Sequence, residues 1–192
     1  MRNLIVFNTI SLDGYFTDSR NDMSWAHGLP DDAEWNAFVA GNASGGGKLL
    51  FGRVTYQMMA GYWPTPMAAQ QNPVVAENMN RMAKVVFSRT LAEATWNNTR
   101  VLHGDLAAEV RKLKAEEGPG MAILGSGSIV APLAAAALID EYQIVVTPIV
   151  LGSGRTMFEG VKDRLQLKIM SSRSFRNGKV YLSYQPASSP LP

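Results

Sequence analysis

The feature that most constrains this chain is a repeated junction, in which a short apolar run stops at Gly or Ser. Lys48 to Phe51 runs into Gly52, Arg53, Val54, Thr55 and Tyr56. Lys84 to Phe87 runs into Ser88, Arg89 and Thr90. Met121 to Leu124 runs into Gly125, Ser126, Gly127 and Ser128, and a helix is expected from there to about Ala137. Between the last two lies Asp105 to Glu117, with Asp105 as cap and Leu106, Val110 and Leu113 on one helical face. Short strands alternating with helices imply a largely parallel sheet covered on its faces.

The ends of the chain read differently. Leu4 to Ile10 is a β-rich run closed by the turn residues Ser11, Leu12, Asp13 and Gly14, and residues 17 to 30 read as a polar loop. Pro30, Asp31 and Glu34 form a capping-box pattern with Asp31 as the cap. Trp35, Phe38 and Val39 then share a face, and Gly45 to Gly47 closes the helix. Tyr142 to Leu151 is β-rich. Leu165 to Phe175 and Lys179 to Gln185 flank Asn177-Gly178, a type I′ hairpin signal. The expected fold is therefore α/β, a mixed, mostly parallel sheet flanked by helices, with antiparallel C-terminal strands. Residues 1–186 form one domain, and 187–192 form a Ser/Pro-rich flexible tail.

Composition narrows the function. The 192 residues are 46% apolar and 18% charged, which suits a folded core and excludes general disorder. Eighteen basic against sixteen acidic residues, with no dense basic block, argues against nucleic acid. Cysteine is absent, so disulfides, thiol catalysis and thiolate metal sites are excluded. His27 and His103 are far apart and not at ligand spacing, so no metal is expected. His27 reads as a surface residue and His103 as structural. The longest apolar run, Ile129 to Ile139, contains Pro132 and falls short of the roughly 20 residues that span a membrane. Leu4 to Phe7 is too short for an export signal. A cytoplasmic protein acting on a small molecule is expected.

The junctions suggest what it binds. In an open α/β sheet, ligands sit outside the carboxyl ends of the strands. Gly admits close backbone approach, and a helix N-terminus offers free N–H groups and positive potential. Arg53 and Arg89 supply forked donors for a phosphate monoester. The same residues also suit ordinary turns, but three such junctions together point to a multiply phosphorylated cofactor. Gly47-Lys48-Leu49 fails as a Walker loop, and Gly125 to Val130 lacks the third Gly of a Rossmann fingerprint. No Gly-x-Ser-x-Gly elbow supports a serine hydrolase.

Six stretches in order carry a resemblance: residues 10–15 (ISLDGY), 50–56 (LFGRVTY), 87–90 (FSRT), 124–128 (LGSGS), 139–142 (IDEY) and 148–154 (PIVLGSG). Over about residues 2 to 186 the chain resembles the dihydrofolate reductase-like superfamily, in the branch of the C-terminal reductase domain of the bacterial riboflavin-biosynthesis deaminase–reductase. The zinc-binding deaminase half has no counterpart here. The resemblance implies NADPH, hydride transfer to a small planar heterocycle or ribosyl-aminopyrimidine-like substrate, and a homodimer. It implies that Gly52, Arg53 and Thr55 line the phosphate side, with Arg53, Ser88, Arg89 and Thr90 toward the 2′-phosphate. Gly125, Ser126, Gly127, Ser128 and Ile129 would hold the pyrophosphate, and Thr9 would edge the nicotinamide. On the substrate side it implies Asp13, Gly152 and Ser153; of the aromatics Trp25, Trp35, Tyr62 and Trp63, which suit packing as well as stacking on a flat substrate, Trp63 is the candidate. Asp32 matches the acid that binds the heterocycle and assists proton delivery, though Asp at a helix start is also an ordinary cap. No arginine matches the residue that grips the folate tail, with Arg81 merely nearby. Met58 and Met59 read as core filling. A non-catalytic dinucleotide-binding module of the same fold is the alternative.

Overall fold

A computed structural model describes residues 1–27, 32–44 and 46–187. Asp31 as cap, Gly45 as terminator and most of the C-terminal tail lie outside the described residues.

The strands are β1 (Leu4–Ser11), β2 (Tyr15–Asp18), β3 (Lys48–Gly52), β4 (Ala83–Phe87), β5 (Thr99–Leu102), β6 (Met121–Leu124), β7 (Glu141–Thr147), β8 (Gly154–Thr156), β9 (Leu167–Ser174) and β10 (Val180–Pro186). The helices are α1 (Ala33–Ser44), α2 (Arg53–Tyr62), α3 (Pro66–Gln71), α4 (Pro73–Arg81), α5 (Leu106–Ala115) and α6 (Gly127–Ala135). Eight strands form one sheet in the order β5-β4-β3-β6-β1-β7-β10-β9, and β2 pairs with β8 in a separate ribbon. The run from β5 to β7 is parallel, and β10 turns antiparallel between β7 and β9. This is the mixed, mostly parallel sheet with antiparallel C-terminal strands expected of a dihydrofolate reductase-like fold.

Period-two alternation sorts the sheet's faces. Leu4, Val6, Leu50, Ile123 and Ile144 join α5 and α6 residues in one core. Leu49, Phe51 and Val86 pack with Tyr56, Met79 and Trp96 on the other face. Trp35 of α1, Val145 and Phe175 form a third cluster, with Phe175 edge-on to Trp35 at 5.2 Å. Asp105 caps α5 as expected, accepting the Ala108 N–H at 2.8 Å.

Some local readings need correction. After β4 the Ser88 hydroxyl accepts the Thr90 and Leu91 N–H groups, and the chain runs on to β5, a strand the sequence reading did not include. Residues 15–18, partly assigned to a loop, form β2. The Asn177-Gly178 hairpin exists, but only Gly178 has positive φ (+84°), whereas type I′ needs it at both central residues. The Gly178 N–H closes on the Phe175 carbonyl at 3.0 Å, the pattern of a type I turn followed by a left-handed Gly. Met58 is 46% exposed and not core.

Candidate active site

Register lines the junctions up. Gly52 lies level with Phe87, and Phe87 with Leu102. Leu50 pairs with Ile123, and Phe7 with Leu124. Ser88, Gly52, Gly125 and Thr9 therefore follow one another along the carboxyl edge of β4, β3, β6 and β1. Their convergence follows from β6 inserting between β3 and β1, so that two strand ends far apart in sequence become neighbours.

The two glycine junctions interlock. Gly125 and Ser126 both have positive φ (+61° and +59°), which turns the chain sharply into α6. The Ser126 hydroxyl accepts the Gly52 N–H at 3.0 Å. A Cβ on Gly52 would stand 2.8 Å from Ser128 Oγ, and one on Gly125 would stand 3.4 Å from Thr55 Cγ2. Behind the loop, a Cβ on Gly127 would stand 2.8 Å from the buried Phe16 ring of β2. The first helical bonds of α6 run from the Ile129 and Val130 N–H groups to the Ser126 carbonyl. The N–H groups of Gly127 and Ser128 precede them, at the positive end of the helix. Arg53 is exposed at the start of α2, its guanidinium on Gln57 Oε1 at 2.9 Å, and Arg89 and Thr90 are exposed beyond β4. A bare glycine cradle, a helix N-terminus and flanking guanidinium groups fit the pyrophosphate and phosphomonoester of a dinucleotide.

A cavity of about 550 Å³ opens against this edge, between the sheet and helices α1, α2 and α4. Thr9, Thr55, Gly125 and Trp63 line it. Trp63 is held by its ring N–H on Met59 Sδ at 3.1 Å and lies edge-on to Tyr62 at 5.0 Å. The other aromatics considered do not line it. Trp35 is core, and Trp25 donates to the Asp22 carbonyl.

Asp32, Asp13, Gly152 and Ser153 stand outside the cavity lining. Asp32 caps α1, accepting the Trp35 N–H at 3.0 Å, and its other oxygen takes the Asn177 amide at 2.6 Å. That ties the start of α1 to the β9–β10 turn. Asp13 is a clasp: its carboxylate accepts from the Ser11 hydroxyl at 2.6 Å and from the Gly152 N–H at 2.7 Å. The Ser11 hydrogen bond, with help from the Gly152 and Leu151 N–H groups, holds its pKa below the usual range. Ser153 is exposed.

Sequence reasoning missed Lys179. It is 4% exposed, and its ammonium donates to Thr147 Oγ1 and to the Ala26 carbonyl, both at 3.0 Å, over the Trp35 ring. Burial lowers its pKa, and the nearby Asp32 carboxylate partly opposes that. Only an antiparallel β10, which brings its first residues to the carboxyl end of β7, places it there. His103 was read as structural, and its Nδ1 lies 2.7 Å from the Ser88 carbonyl, bracing the second junction. Among the described residues no acidic or histidine cluster is arranged to hold a metal ion, and no helix is long and apolar enough to cross a membrane.

The model of the RibD C-terminal domain matches residues 2–181. The chain belongs to the RibD C-terminal domain family. It is 27% identical over 183 residues to the uncharacterised protein YyaP of Bacillus subtilis (strain 168), covering 95% of this chain and 94% of that one. Among solved structures it is similar to a putative riboflavin biosynthesis protein from Shewanella sp. PV-4 (TM-score 0.75, 23% identity, 96% and 99% of the two chains). It is also similar to the diaminohydroxyphosphoribosylaminopyrimidine deaminase/5-amino-6-(5-phosphoribosylamino)uracil reductase of Thermotoga maritima (TM-score 0.67, 13% identity, 97% and 57%). A third is the dihydrofolate reductase of Enterococcus faecalis complexed with NADP(H) (TM-score 0.64, 14% identity, 96% of each chain). The RibD C-terminal domain match and these structures identify a reductase-type fold.

Proposed function

We propose that this family member is an NADPH-dependent reductase that delivers hydride to a C=N or C=O bond of a small planar compound. The observation that carries the reading is the interlocked glycine edge: Gly52 on Ser126 and Ser128, Gly125 on Thr55, and Gly127 on Phe16, with Gly125 and Thr55 also lining the cavity. The dihydrofolate reductase relative complexed with NADP(H) has the same fold.

NADPH held at this edge would supply the hydride, and one proton delivered to the adjoining nitrogen or oxygen would complete the reduction. The protein's work is positioning and water exclusion. In this reading the N–H groups of Gly127 and Ser128 meet the pyrophosphate. Gly52 and Thr55 flank it, Arg53, Ser88, Arg89 and Thr90 take the 2′-phosphate, and Thr9 and Trp63 border the reacting rings. Asp13, Gly152 and Ser153 close the loop edge beside the substrate. Asp32 stands outside the cavity lining, so it acts as substrate anchor or proton carrier only for a substrate group that extends past the lining and shares or displaces its Asn177 partner.

The test is NADPH oxidation followed at 340 nm with pterins, aminopyrimidines and imines, after NADPH binding has been shown by fluorescence. Binding with turnover of one class is expected; a folded protein that binds no NADPH refutes the reading. A second reading, a dinucleotide-binding module without turnover, is favoured by one observation: none of the described residues lining the cavity is an acid, a base or a tyrosine. NADPH binding with no oxidation across the panel would select it.

A homodimer through β9 belongs to the same proposal. β9 is the outer strand of the sheet, exposed along nearly its whole length, with Ile169 and Met170 half exposed. An outer strand offers unpaired N–H and C=O groups with which a second copy can pair. Sedimentation is expected to give a dimer that Ile169→Asp converts to a monomer; a wild-type monomer would refute it.

A further inference from the structure

The cavity beside the glycine edge carries a second message, in its charge. Among the described residues, its lining contains no Lys, Arg, His, Asp or Glu. Six of the lining residues are methionines: Met23, Met58, Met59, Met79, Met82 and Met121. The polar groups that remain, from Asn8, Thr9, Thr55 and Gln143 among others, are neutral amides and hydroxyls. Residues 28–31, 45 and 188–192, outside the described set, include no Lys, Arg or His in the sequence, so none can supply a cation.

The cations on the surrounding elements are committed elsewhere. At the amino edge of the sheet, Arg2 and Lys48 both pair with Glu116, at 3.2 and 2.9 Å. At the end of α4, the Arg81 guanidinium donates to Asn78 Oδ1 at 2.5 Å and stands outside the cavity lining. The Lys84 ammonium is enclosed by the carbonyls of Asn80, Met82 and Asn97. Lys179 serves Ala26 and Thr147. Arg53 lies on the cofactor edge. An anionic group entering the cavity would lose part of its hydration and meet no opposite charge in the lining. A neutral ring instead meets thioethers and aliphatic walls that adapt to its shape.

We propose that the substrate of this site is uncharged and largely apolar, a flat carbonyl or imine compound carrying neither phosphate nor carboxylate. The proposal deepens the reductase reading and rests on it. It separates this chain's substrate from phosphoribosyl-bearing and glutamate-bearing compounds, whatever ring they share.

Equilibrium dialysis of a matched pair without nucleotide decides it: 2-naphthaldehyde against 6-formyl-2-naphthoate, which differ by one carboxylate. The neutral member is expected to bind at least tenfold more tightly. Equal binding, tighter binding of the carboxylate, or no binding of the neutral member up to its solubility overturns the proposal. Two variants locate the effect. Ala122→Phe fills the cavity from β6 and is expected to abolish neutral binding. Met58→Arg places a cation on an exposed lining position, where folding tolerates it, and is expected to raise carboxylate affinity at least fivefold. An unchanged carboxylate affinity in a folded Met58→Arg protein would show that missing charge is not the cause. NADPH titration, run in parallel, keeps the readings apart. Neutral preference without any NADPH binding refutes the reductase, whereas NADPH binding with carboxylate preference refutes only the substrate class.

Discussion

Gly127→Ala probes the most tightly built part of the candidate cofactor site. The added methyl would sit 2.8 Å from Phe16 Cε1 and 3.0 Å from Cζ, with the Thr156 carbonyl at 3.5 Å behind it. Carbon atoms settle near 3.5–4.0 Å, so a shift approaching 1 Å is required. Phe16 cannot swing aside, because its ring is 5% exposed and packed into the main core, with the Arg155 guanidinium over its face. The relief must come from the α6 entrance or from the β2–β8 ribbon. Overpacking of this kind costs about 1–3 kcal/mol. For a chain of this size, about 2 kcal/mol lowers the melting temperature by roughly 4–8 °C. The same movement pulls the Gly127 and Ser128 N–H groups off the bound phosphate position, and NADPH affinity is expected to fall at least tenfold. Calorimetry and fluorescence titration read the two effects. Phe16→Leu in the Gly127→Ala background should restore most of the melting temperature, since it removes the ring edge that the methyl meets. A Gly127→Ala protein with wild-type melting and wild-type NADPH affinity would refute the interlocked-edge geometry.

Three further outcomes follow from the same contacts. Asp32→Ala removes the α1 cap and should cost about 1 kcal/mol in denaturant unfolding, whereas Asp32→Asn should keep most of that stability; if Asp32 carries a proton or anchors substrate, turnover drops in both, and full turnover in Asp32→Asn removes it from that role. Lys84 is 1% exposed, and burial pulls its pKa down to about 8 from the usual 10.5. Between those values the unfolded chain binds the extra proton, so stability relative to Lys84→Met should rise with pH across that window, by up to about 3 kcal/mol, and stay level below it. A difference that is flat from pH 7 to 10.5 in urea melts would contradict this. Gly154→Ala would drive a Cβ to 2.0 Å from the Thr17 carbonyl, so the β2–β8 ribbon should open, seen as loss of amide protection at residues 15–18; retained protection would refute it.

The sheet's centre was legible because β1, β3, β4 and β6 are short apolar runs closed by Gly, Ser or a turn, a local signal that survives in any context. β5 was not: Thr99 to Leu102 is four residues with an exposed Arg100, and it is a strand only because β4 offers it an edge. The turn at Asn177-Gly178 was read one residue too tight, because dipeptide preference does not report whether Asn177 takes positive φ. The cofactor junctions could be named singly from sequence, yet their adjacency depends on β6 inserting between β3 and β1. Lys179 and Asp32 lie near one another across nearly 150 positions, joined through Asn177 and Trp35, and no local pattern announces that. The uncharged cavity was invisible for the same reason: it is defined by which side chains are missing from a surface assembled from seven strands and helices.

The central claim is that Arg53, Arg89 and the glycine edge form one site for a 2′-phosphorylated dinucleotide. Titration of wild type and Arg53→Ala with NADPH and NADH tests it most directly. A charge-assisted contact to the 2′-phosphate is worth about 1.5–3 kcal/mol, so Arg53→Ala should weaken NADPH by roughly ten- to a hundredfold and leave NADH within about twofold. Equal weakening of both nucleotides, or a folded wild type that binds neither, would contradict the account.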